Sequence, residues 1–332
     1  MKNEFNIVLS TNERYMPGAT VALVSLAVNA KPETQLHFHV FTENVKHISW
    51  KLLVESITRV HPKSVIENHV CGEDILSGLP AYSGSRMAWV RCFYPRLLPS
   101  VDWALYLDCD VLYLAAPEEH FAYKDDAVYA CVTRDMSPIS SSGDAKWARD
   151  KCGVELKCED YFNSGVMLFN FKKFREDNMS ERIAEFIRQH PDGYYADQTA
   201  MNVIFNGRGL KYLPSRYNYL QIYLDDTALL QRPVIHYVNG IPWLRKVSTV
   251  ANGRYRLWHA FADKYIWRKD GTSEKRLFPV LHRIVVRIEF FLLRSHTFEP
   301  LFRSALKLIG KGKCYASWKW SQVGNDIKEI IV

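Results

Sequence analysis

Two aspartates, Asp108 and Asp110, follow directly after the apolar run 103–107. In an extended chain, residues two positions apart point to the same side, so both carboxylates can face one cation. Two negative charges at the end of an apolar segment repel each other unless a positive group lies beside them. Carboxylate ligands suit Mg²⁺ or Mn²⁺. The pattern therefore predicts a divalent metal site, and a solvated turn after a strand is the alternative.

His236 ends a second apolar run, which begins at Pro233. A single histidine is more often a structural residue than a metal ligand. Where the fold brings it to the two aspartates, however, it completes a set of two oxygen ligands and one nitrogen. An imidazole in such a set favours Mn²⁺ over Mg²⁺.

Other polar residues lie where a ligand can be bound. Asn163 and Gly165 suit a tight turn that leads into a strand. Asp197 and Gln198 open a predicted helix, where Asp197 also suits the N-cap position. Arginine binds phosphate through parallel hydrogen bonds and stays charged, although a surface role is an equally good explanation for each arginine. The three candidates in one segment are Arg86, Arg91 and Arg96.

The elements that must position these side chains alternate between strands and helices, as in α/β domains. The predicted strands are 6–10, 36–41, 65–70, 103–107, 128–133, 166–171 and 233–236. The predicted helices are 17–29, 49–60, 87–98 with a break at Pro95, 172–189 and 198–206. Doubly wound sheets bind ligands beyond the carboxyl ends of their strands. We therefore expect residues 11–15, residues 108–110 and the stretch after His236 to meet at one edge.

The composition excludes several other classes of protein. Among 332 residues, 48% are hydrophobic, 13% aromatic and 24% charged, which rules out a disordered chain, a collagen and a coiled coil. No apolar run approaches the roughly 18 residues of a transmembrane helix, and no secretory signal is recognised. Seven cysteines without a Cys-x-x-Cys motif favour reduced thiols in the cytoplasm over a disulfide framework or a cysteine-ligated zinc site.

Positive charge is concentrated at the end of the chain. Residues 264–332 contain 14 Lys+Arg and 6 Asp+Glu, so their net charge of +8 leaves −1 for residues 1–263. After Pro279, apolar residues recur on one side of a predicted helix and arginines on the other. We expect a catalytic domain over 1–263 and a basic, amphipathic region over 264–332 that binds an anionic membrane surface. A helix packed on the domain is the alternative, and nucleic acid is disfavoured because no nucleic-acid module accompanies the charge.

Taken in order and approximate spacing, these segments resemble glycosyltransferase family 8, and in particular bacterial enzymes that add galactose or glucose to lipopolysaccharide. The resemblance covers roughly residues 5–260. The matching segments are Asn6–Tyr15, Phe93–Leu97, Tyr106–Leu112, Tyr161–Val166, Tyr195–Gln198 and His236–Trp243. It implies a GT-A fold, which is an α/β, Rossmann-like, doubly wound mixed sheet. It also implies a UDP-sugar donor, Mn²⁺ with Mg²⁺ as a substitute, and retention of configuration at the anomeric carbon.

The resemblance also implies a role for individual residues. By position, the metal ligands are Asp108, Asp110 and His236. The residues that bind the donor are Ser10, Asn12, Tyr15, Arg96, Asp108 and Asn163. The catalytic residues are Gln198, Asp197 and Asp135. Gln198 lies beneath the anomeric centre in this scheme, and its weakly nucleophilic amide favours a dipole role.

Two positions depart from the family's pattern. Asn12 stands where relatives commonly carry an aspartate near the uracil, and its carbonyl can still accept a hydrogen bond from uracil N3–H. Ile241 stands where relatives place a lysine against the diphosphate, so we expect Arg245 or Lys246 to substitute for it.

The sequence thus predicts a retaining, metal-dependent hexosyltransferase, cytoplasmic and peripheral on the inner face of the cytoplasmic membrane. Its partners would be UDP-galactose or UDP-glucose and a lipopolysaccharide, glycolipid or oligosaccharide acceptor. One alternative is an Mg²⁺-dependent phosphatase with an aspartate nucleophile, but Val111 and Leu112 follow the aspartates where such enzymes carry Gly-Thr. A second is a non-catalytic, glycan-binding or scaffolding relative. A dehydrogenase is disfavoured because no Gly-x-Gly-x-x-Gly follows the first strand.

Overall fold

The structure is a computed structural model that describes residues 4–81, 85–135, 143–191, 196–221, 229–238, 240–244 and 255–266. The predicted helix after Pro279, nearly all of the basic region 264–332, and the residues Arg245 and Lys246 lie outside this part of the chain. Within the described residues, none of the helices combines the length and the apolar character that a bilayer crossing requires.

In the part of the chain that the structure describes, ten strands form two sheets. They are β1 (Glu4–Asn12), β2 (Gln35–Glu43), β3 (Val65–Val70), β4 (Trp103–Leu107), β5 (Val111–Tyr113), β6 (Ala130–Arg134), β7 (Phe162–Asn170), β8 (Leu210–Leu213), β9 (Tyr219–Leu220) and β10 (Val234–His236). The main sheet has the order β3-β2-β1-β4-β7-β6-β8, and the smaller sheet has the order β5-β10-β9. The main sheet is mixed, because β3, β2, β1 and β4 are parallel while β7 runs antiparallel to both of its neighbours.

Helices cover both faces of the main sheet. They are α1 (Met16–Asn29), α2 (His47–Val60), α3 (Glu73–Leu76), α4 (Tyr94–Leu97), α5 (Pro117–Phe121), α6 (Gly143–Cys152), α7 (Phe171–Glu176), α8 (Met179–Gln189), α9 (Ala196–Phe205) and α10 (Arg256–Tyr265). Within the described residues, 3₁₀ helices cover Met87–Cys92, Ser215–Asn218 and Pro242–Leu244.

Side chains of the central strands alternate between two buried apolar clusters. In β1, Ile7 and Leu9 belong to one cluster, which includes α1 and Trp258 of α10, whereas Val8 belongs to the other, which includes Phe174 of α7. Successive residues of a strand point to opposite faces, so the two clusters lie on opposite sides of the sheet. This arrangement confirms the predicted doubly wound α/β fold with a mixed sheet.

The predicted helices 87–98 and 172–189 were each wrong in one respect. The first is a 3₁₀ helix followed by the short helix α4, so the break falls at Phe93, before Pro95. Pro95 instead lies at the start of α4, where its missing N–H costs no hydrogen bond. The second is interrupted between α7 and α8 by Asn178, whose φ of 50° is left-handed. Asparagine tolerates that conformation better than most residues, so the helix breaks there.

The predicted turn at Asn163 and Gly165 is also wrong, because β7 begins at Phe162 and contains both residues. Val166 pairs with Leu107 of β4, and the amide of Asp108 donates to the carbonyl oxygen of Gly165 at 2.8 Å. This pairing between two buried strands overrides the turn preference of asparagine and glycine.

Candidate active site

The carboxyl ends of β1 and β4 lie side by side and place the two aspartates at one edge of the main sheet. Val8 pairs with Tyr106 in a parallel register, so the residues after Leu107 emerge next to Ser10. The thiol of Cys109 donates to the carbonyl oxygen of Ser10 at 3.4 Å. Cys109 is buried, and Asp108 and Asp110 on either side of it are partly exposed.

The smaller sheet brings His236 to the same edge. β10 pairs antiparallel with β5, His236 lies opposite Val111, and the amide of Tyr237 donates to the carbonyl oxygen of Asp110 at 2.9 Å. His236 Nε2 lies 3.3 Å from Oδ1 of Asp110 and 3.7 Å from Oδ2 of Asp108. One ligand atom from each of the three residues lies within 4.8 Å of the other two. The predicted set of two carboxylates and one imidazole is therefore brought together.

Hydrogen bonds around His236 fix the tautomer that suits a metal ligand. Its Nδ1 lies 3.1 Å from Oδ1 of Asn218, whose amide NH₂ donates to Oδ1 of Asn163 at 2.9 Å. The carbonyl of Asn218 therefore faces the imidazole, Nδ1 donates to it, and the Nε2 lone pair points to the carboxylates. Burial lowers the pKa of His236, but the charges of Asp110 and Asp108 outweigh it and the net shift is upward. The same charges favour a metal cation beside Nε2, so the donor set fits a divalent ion.

Gly165 makes room for this imidazole. A Cβ at position 165 would lie 2.1 Å from Cε1 of His236, closer than side-chain atoms approach each other. The glycine in the predicted turn is thus required by the close approach of a ring to the backbone of β7.

Arg91, which the sequence offered as a candidate phosphate contact, lies at the centre of the site between two carboxylates. It is 6% exposed, its Nη2 lies 2.7 Å from Oδ1 of Asp108, and its Nε lies 3.1 Å from Oδ2 of Asp197. Tyr106 OH also donates to Oδ1 of Asp108, which leaves Oδ2 to face His236. The sequence signal that could have identified Arg91 is its position as a single charge within an apolar run. In the structure its neighbours Val90 and Cys92 are buried, and Arg91 is buried with them.

Asp197 lies within the first turn of α9, and the predicted N-cap role is wrong because the helix already includes Ala196. Besides Arg91, its Oδ2 accepts a hydrogen bond from Ser164 Oγ at 3.3 Å. Burial raises the pKa of Asp197 to about 6, against the opposing effect of the Arg91 charge.

The side chain of Gln198 is held by hydrogen bonds to Ser164 and Tyr161, including one from Ser164 Oγ to its Oε1 at 3.4 Å. Its Oε1 accepts from the amide of Ser164 at 3.0 Å, and its Nε2 donates to Tyr161 OH at 2.9 Å. Asp135 lies next to the same tyrosine, because its amide donates to the carbonyl oxygen of Tyr161 at 3.0 Å and its charge contributes to the raised pKa of that residue, chiefly a burial effect. The three predicted catalytic residues therefore lie around Tyr161 and Ser164.

The first predicted donor-binding residues lie at the carboxyl end of β1. Ser10 Oγ donates to the carbonyl oxygen of Met87 at 2.9 Å. Asn12 Nδ2 donates to Ser85 Oγ at 3.4 Å, and its Oδ1 is buried without a hydrogen-bond partner among the described residues. Tyr15 packs edge-on against Trp243, with 5.6 Å between ring centroids.

The other predicted donor contacts differ in position. Asn163 is buried in the network that holds His236. Arg96 is exposed and lies over the ring of Phe93, so the described contacts do not join it to the other predicted residues. Ile241 packs against the apolar core next to Trp243. The donor roles of Asn163 and Arg96 stay predictions.

Known proteins share sequence similarity with most of this chain. Residues 6–246 match the sequence model of glycosyl transferase family 8. The chain is 26% identical over 226 residues to a lipopolysaccharide 1,2-glucosyltransferase of Escherichia coli, covering 65% of this chain and 63% of that protein. It is 22% identical over 263 residues to a lipopolysaccharide 1,3-galactosyltransferase of Salmonella typhimurium, covering 73% of each. The chain thus spans less than two thirds of the length of the first relative.

A solved structure shares the fold. The galactosyltransferase LgtC, in complex with donor and acceptor sugar analogues, superposes with a TM-score of 0.61 at 22% identity, covering 76% of this chain and 94% of that one.

Proposed function

The chain belongs to glycosyltransferase family 8, and from that premise we propose that it transfers galactose or glucose from a UDP-sugar to a lipopolysaccharide or other glycolipid, with retention of configuration. The observation that carries this proposal is the convergence of Asp108, Asp110 and His236 at the carboxyl edge of the sheet. Relatives that transfer glucose or galactose to lipopolysaccharide support the choice of substrate class.

The metal centre would be held by Asp108, Asp110 and His236. A divalent ion bound there, Mn²⁺ or Mg²⁺, supplies the positive charge that stabilises a departing diphosphate. Arg91 fixes one oxygen of Asp108 and leaves the other for the ion, while Asn218 orients the imidazole. Because these partners are already in place, the ligands need no reorganisation when the ion binds.

The groups around the sugar would stabilise positive charge at the anomeric carbon. The Oε1 of Gln198 is oriented by the amide of Ser164, so its dipole is in place before the donor binds. Asp197 is buried and paired with Arg91, which suits a role in shaping the electrostatic field of the site. This mechanism needs no strongly basic side chain, because the departing phosphate itself can take the proton of the acceptor hydroxyl.

A buried, unsatisfied oxygen supports uridine as the nucleotide. Asn12 Oδ1 lacks a hydrogen-bond partner among the described residues. A buried acceptor without a partner costs free energy, and a donor supplied by a ligand removes that cost. The N3–H of uracil is such a donor.

We also propose that residues 1–263 form the catalytic domain and that the net charge of +8 in residues 264–332 holds the enzyme on the inner leaflet, near a lipid-linked acceptor.

A donor screen tests the proposed function. Purified protein with Mn²⁺ is offered each nucleotide sugar in turn, with a lipopolysaccharide core acceptor, and the released nucleoside diphosphate is measured. We expect acceptor-dependent release from UDP-galactose or UDP-glucose. Release from a GDP- or ADP-sugar alone, or hydrolysis of simple phosphomonoesters instead, would refute the proposal.

A further inference from the structure

A second group of imidazole and carboxylate side chains lies on β2 and β3, away from the candidate active site. His37 and His39 share one face of β2, and His39 lies opposite Glu67 of β3. One ligand atom from each of the three lies within 4.8 Å of the other two. In β1, Asn6 pairs with His37, and the carboxyl end of that strand at Asn12 lies about 20 Å further on at ~3.3 Å per residue.

Both imidazoles have one nitrogen bound to an acceptor outside the group. His37 Nδ1 lies 3.0 Å from Oε1 of Glu4, and His39 Nε2 lies 3.1 Å from Oδ1 of Asn6. Each acceptor keeps a proton on the nitrogen it faces. The lone pairs of His37 Nε2 and His39 Nδ1 therefore point towards Glu67, as in histidines that bind a metal through one nitrogen and a polar partner through the other.

Both lone pairs face the carboxylate of Glu67, which is also a hydrogen-bond acceptor. His37 Nε2 lies 3.0 Å from Oε1 of Glu67, and His39 Nδ1 lies 3.4 Å from Oε2. His37 Nε2 is buried and has no hydrogen-bond partner of acceptable geometry among the described residues. Acceptors that face each other without a shared positive group are unfavourable. An extra proton on one imidazole would satisfy one of these two contacts, whereas a divalent cation bound to both imidazoles and to Glu67 satisfies both.

The spacing of the atoms suits a small tetrahedral ion. Bonds of about 2.0–2.1 Å in tetrahedral geometry separate neighbouring ligand atoms by about 3.4 Å. His69 lies beside this group, with its Nε2 3.3 Å from His39 Nδ1 and 3.4 Å from Oε2 of Glu67. Glu67 is half exposed, so an ion has a path from solvent.

We propose that His37, His39 and Glu67 form a zinc site that ties the edge strand β3 to β2. Two imidazoles with one carboxylate suit Zn²⁺ and not Mg²⁺ or Ca²⁺, which prefer oxygen ligands. The site is separate from sugar transfer, and the proposal is independent of the proposed function.

The test is a Zn²⁺ titration of the full chain after metal removal. Because Asp108, Asp110 and His236 can also bind zinc, an Asp110→Asn background isolates the second site. We expect one tight Zn²⁺ in Asp110→Asn and none in Asp110→Asn with Glu67→Gln. Glu4→Gln, which alters the partner of His37, should weaken binding by roughly 10- to 100-fold. His47→Gln, at an exposed histidine outside the group, is the matched control.

Two further readouts keep the result interpretable. Co²⁺ in place of Zn²⁺ should give the strong visible absorption of a tetrahedral ion in the Asp110→Asn protein and lose it in His37→Gln. Glu67→Gln is the deciding variant, since its exposed side chain allows the metal-free protein to fold, which its melting temperature in EDTA checks. Equal zinc affinity in Glu67→Gln and His47→Gln, or no zinc bound at micromolar concentration, would overturn the proposal.

Discussion

The Nη2 atom of Arg91 lies 2.7 Å from Oδ1 of Asp108. The same guanidinium contacts Asp197 and lies over the ring of Tyr106 at 4.2 Å. Arg91 is therefore the cation that compensates both the buried Asp197 and the partly exposed Asp108. Its planar fork makes both contacts at once, which the single ammonium of a lysine cannot do.

Replacing Arg91 should damage stability and metal binding together. Arg91→Met leaves Asp108 and Asp197 uncompensated, and breaking a buried ion pair in this way costs about 3–5 kcal/mol. We expect a drop of that size in the free energy of unfolding, measured in urea, and weaker Mn²⁺ binding. Arg96→Gln, at an exposed arginine of the same segment, is the control and should change stability by less than about 0.5 kcal/mol. Equal stability of the two variants would contradict the role of Arg91.

Asn12 should determine the preference for uracil. If its Oδ1 accepts from N3–H, then Asn12→Ala weakens UDP binding by about tenfold, corresponding to one hydrogen bond of about 1–1.5 kcal/mol. N3-methyl-UDP cannot donate there and serves as the matched ligand. Wild-type protein should prefer UDP to the methylated nucleotide in calorimetry, and Asn12→Ala should bind both alike. A wild-type protein that binds both equally would refute this contact.

His120 should make the fold sensitive to acid. It is buried beside Tyr113, and burial, followed by the charge of Arg216, lowers its pKa to about 3. Between pH 6.5 and 3 the unfolded chain binds a proton that the folded chain does not. The free energy of unfolding therefore falls as the pH falls through this window, by up to about 1.4 kcal/mol per pH unit for this group.

The slope against pH checks this effect. His120→Gln should reduce the slope between pH 4 and 6, whereas His47→Gln, at an exposed histidine, should leave it unchanged. An unaltered slope in His120→Gln would contradict the assignment.

The basic region should bind anionic membranes. We expect the full chain to float with vesicles that contain phosphatidylglycerol and not with neutral vesicles, because residues 264–332 carry the excess positive charge. A chain that ends after Trp267 keeps α10 and the buried Ile266 and should not float. Replacing Arg283, Arg287 and Arg294 by glutamine in the full chain should give an intermediate result. Equal flotation of the full and shortened chains would contradict the membrane role.

Local patterns predicted the sheet well. The bounds of β3 and β4 agree with the predicted strands 65–70 and 103–107, because both are short segments with clear limits. The convergence of Asp108, Asp110 and His236 was also predicted, since each follows or ends an apolar strand. What could not be predicted depends on pairing between distant strands.

Asn163 and Gly165 illustrate this limit. Their turn preference is local, but the ladder between β7 and β4 decides their conformation. The group around Glu67 is a second example, because it forms only through the register of β2 with β3. Arg91 is a third example of this limit. It is paired with two acids, Asp108 and Asp197, that lie 17 residues or more away in the sequence, so the sequence around Arg91 does not reveal these contacts.

We propose that Asp108, Asp110 and His236 hold one divalent ion and that a nucleoside diphosphate binds to the same ion. The most direct measurement is Mn²⁺ binding, followed by electron paramagnetic resonance with and without UDP, in a Glu67→Gln background that removes the second candidate site. We expect one bound Mn²⁺ per chain, with tighter binding in the presence of UDP, and loss of that ion in Asp110→Asn and in His236→Gln. Undiminished Mn²⁺ binding in His236→Gln, with UDP present, would contradict it.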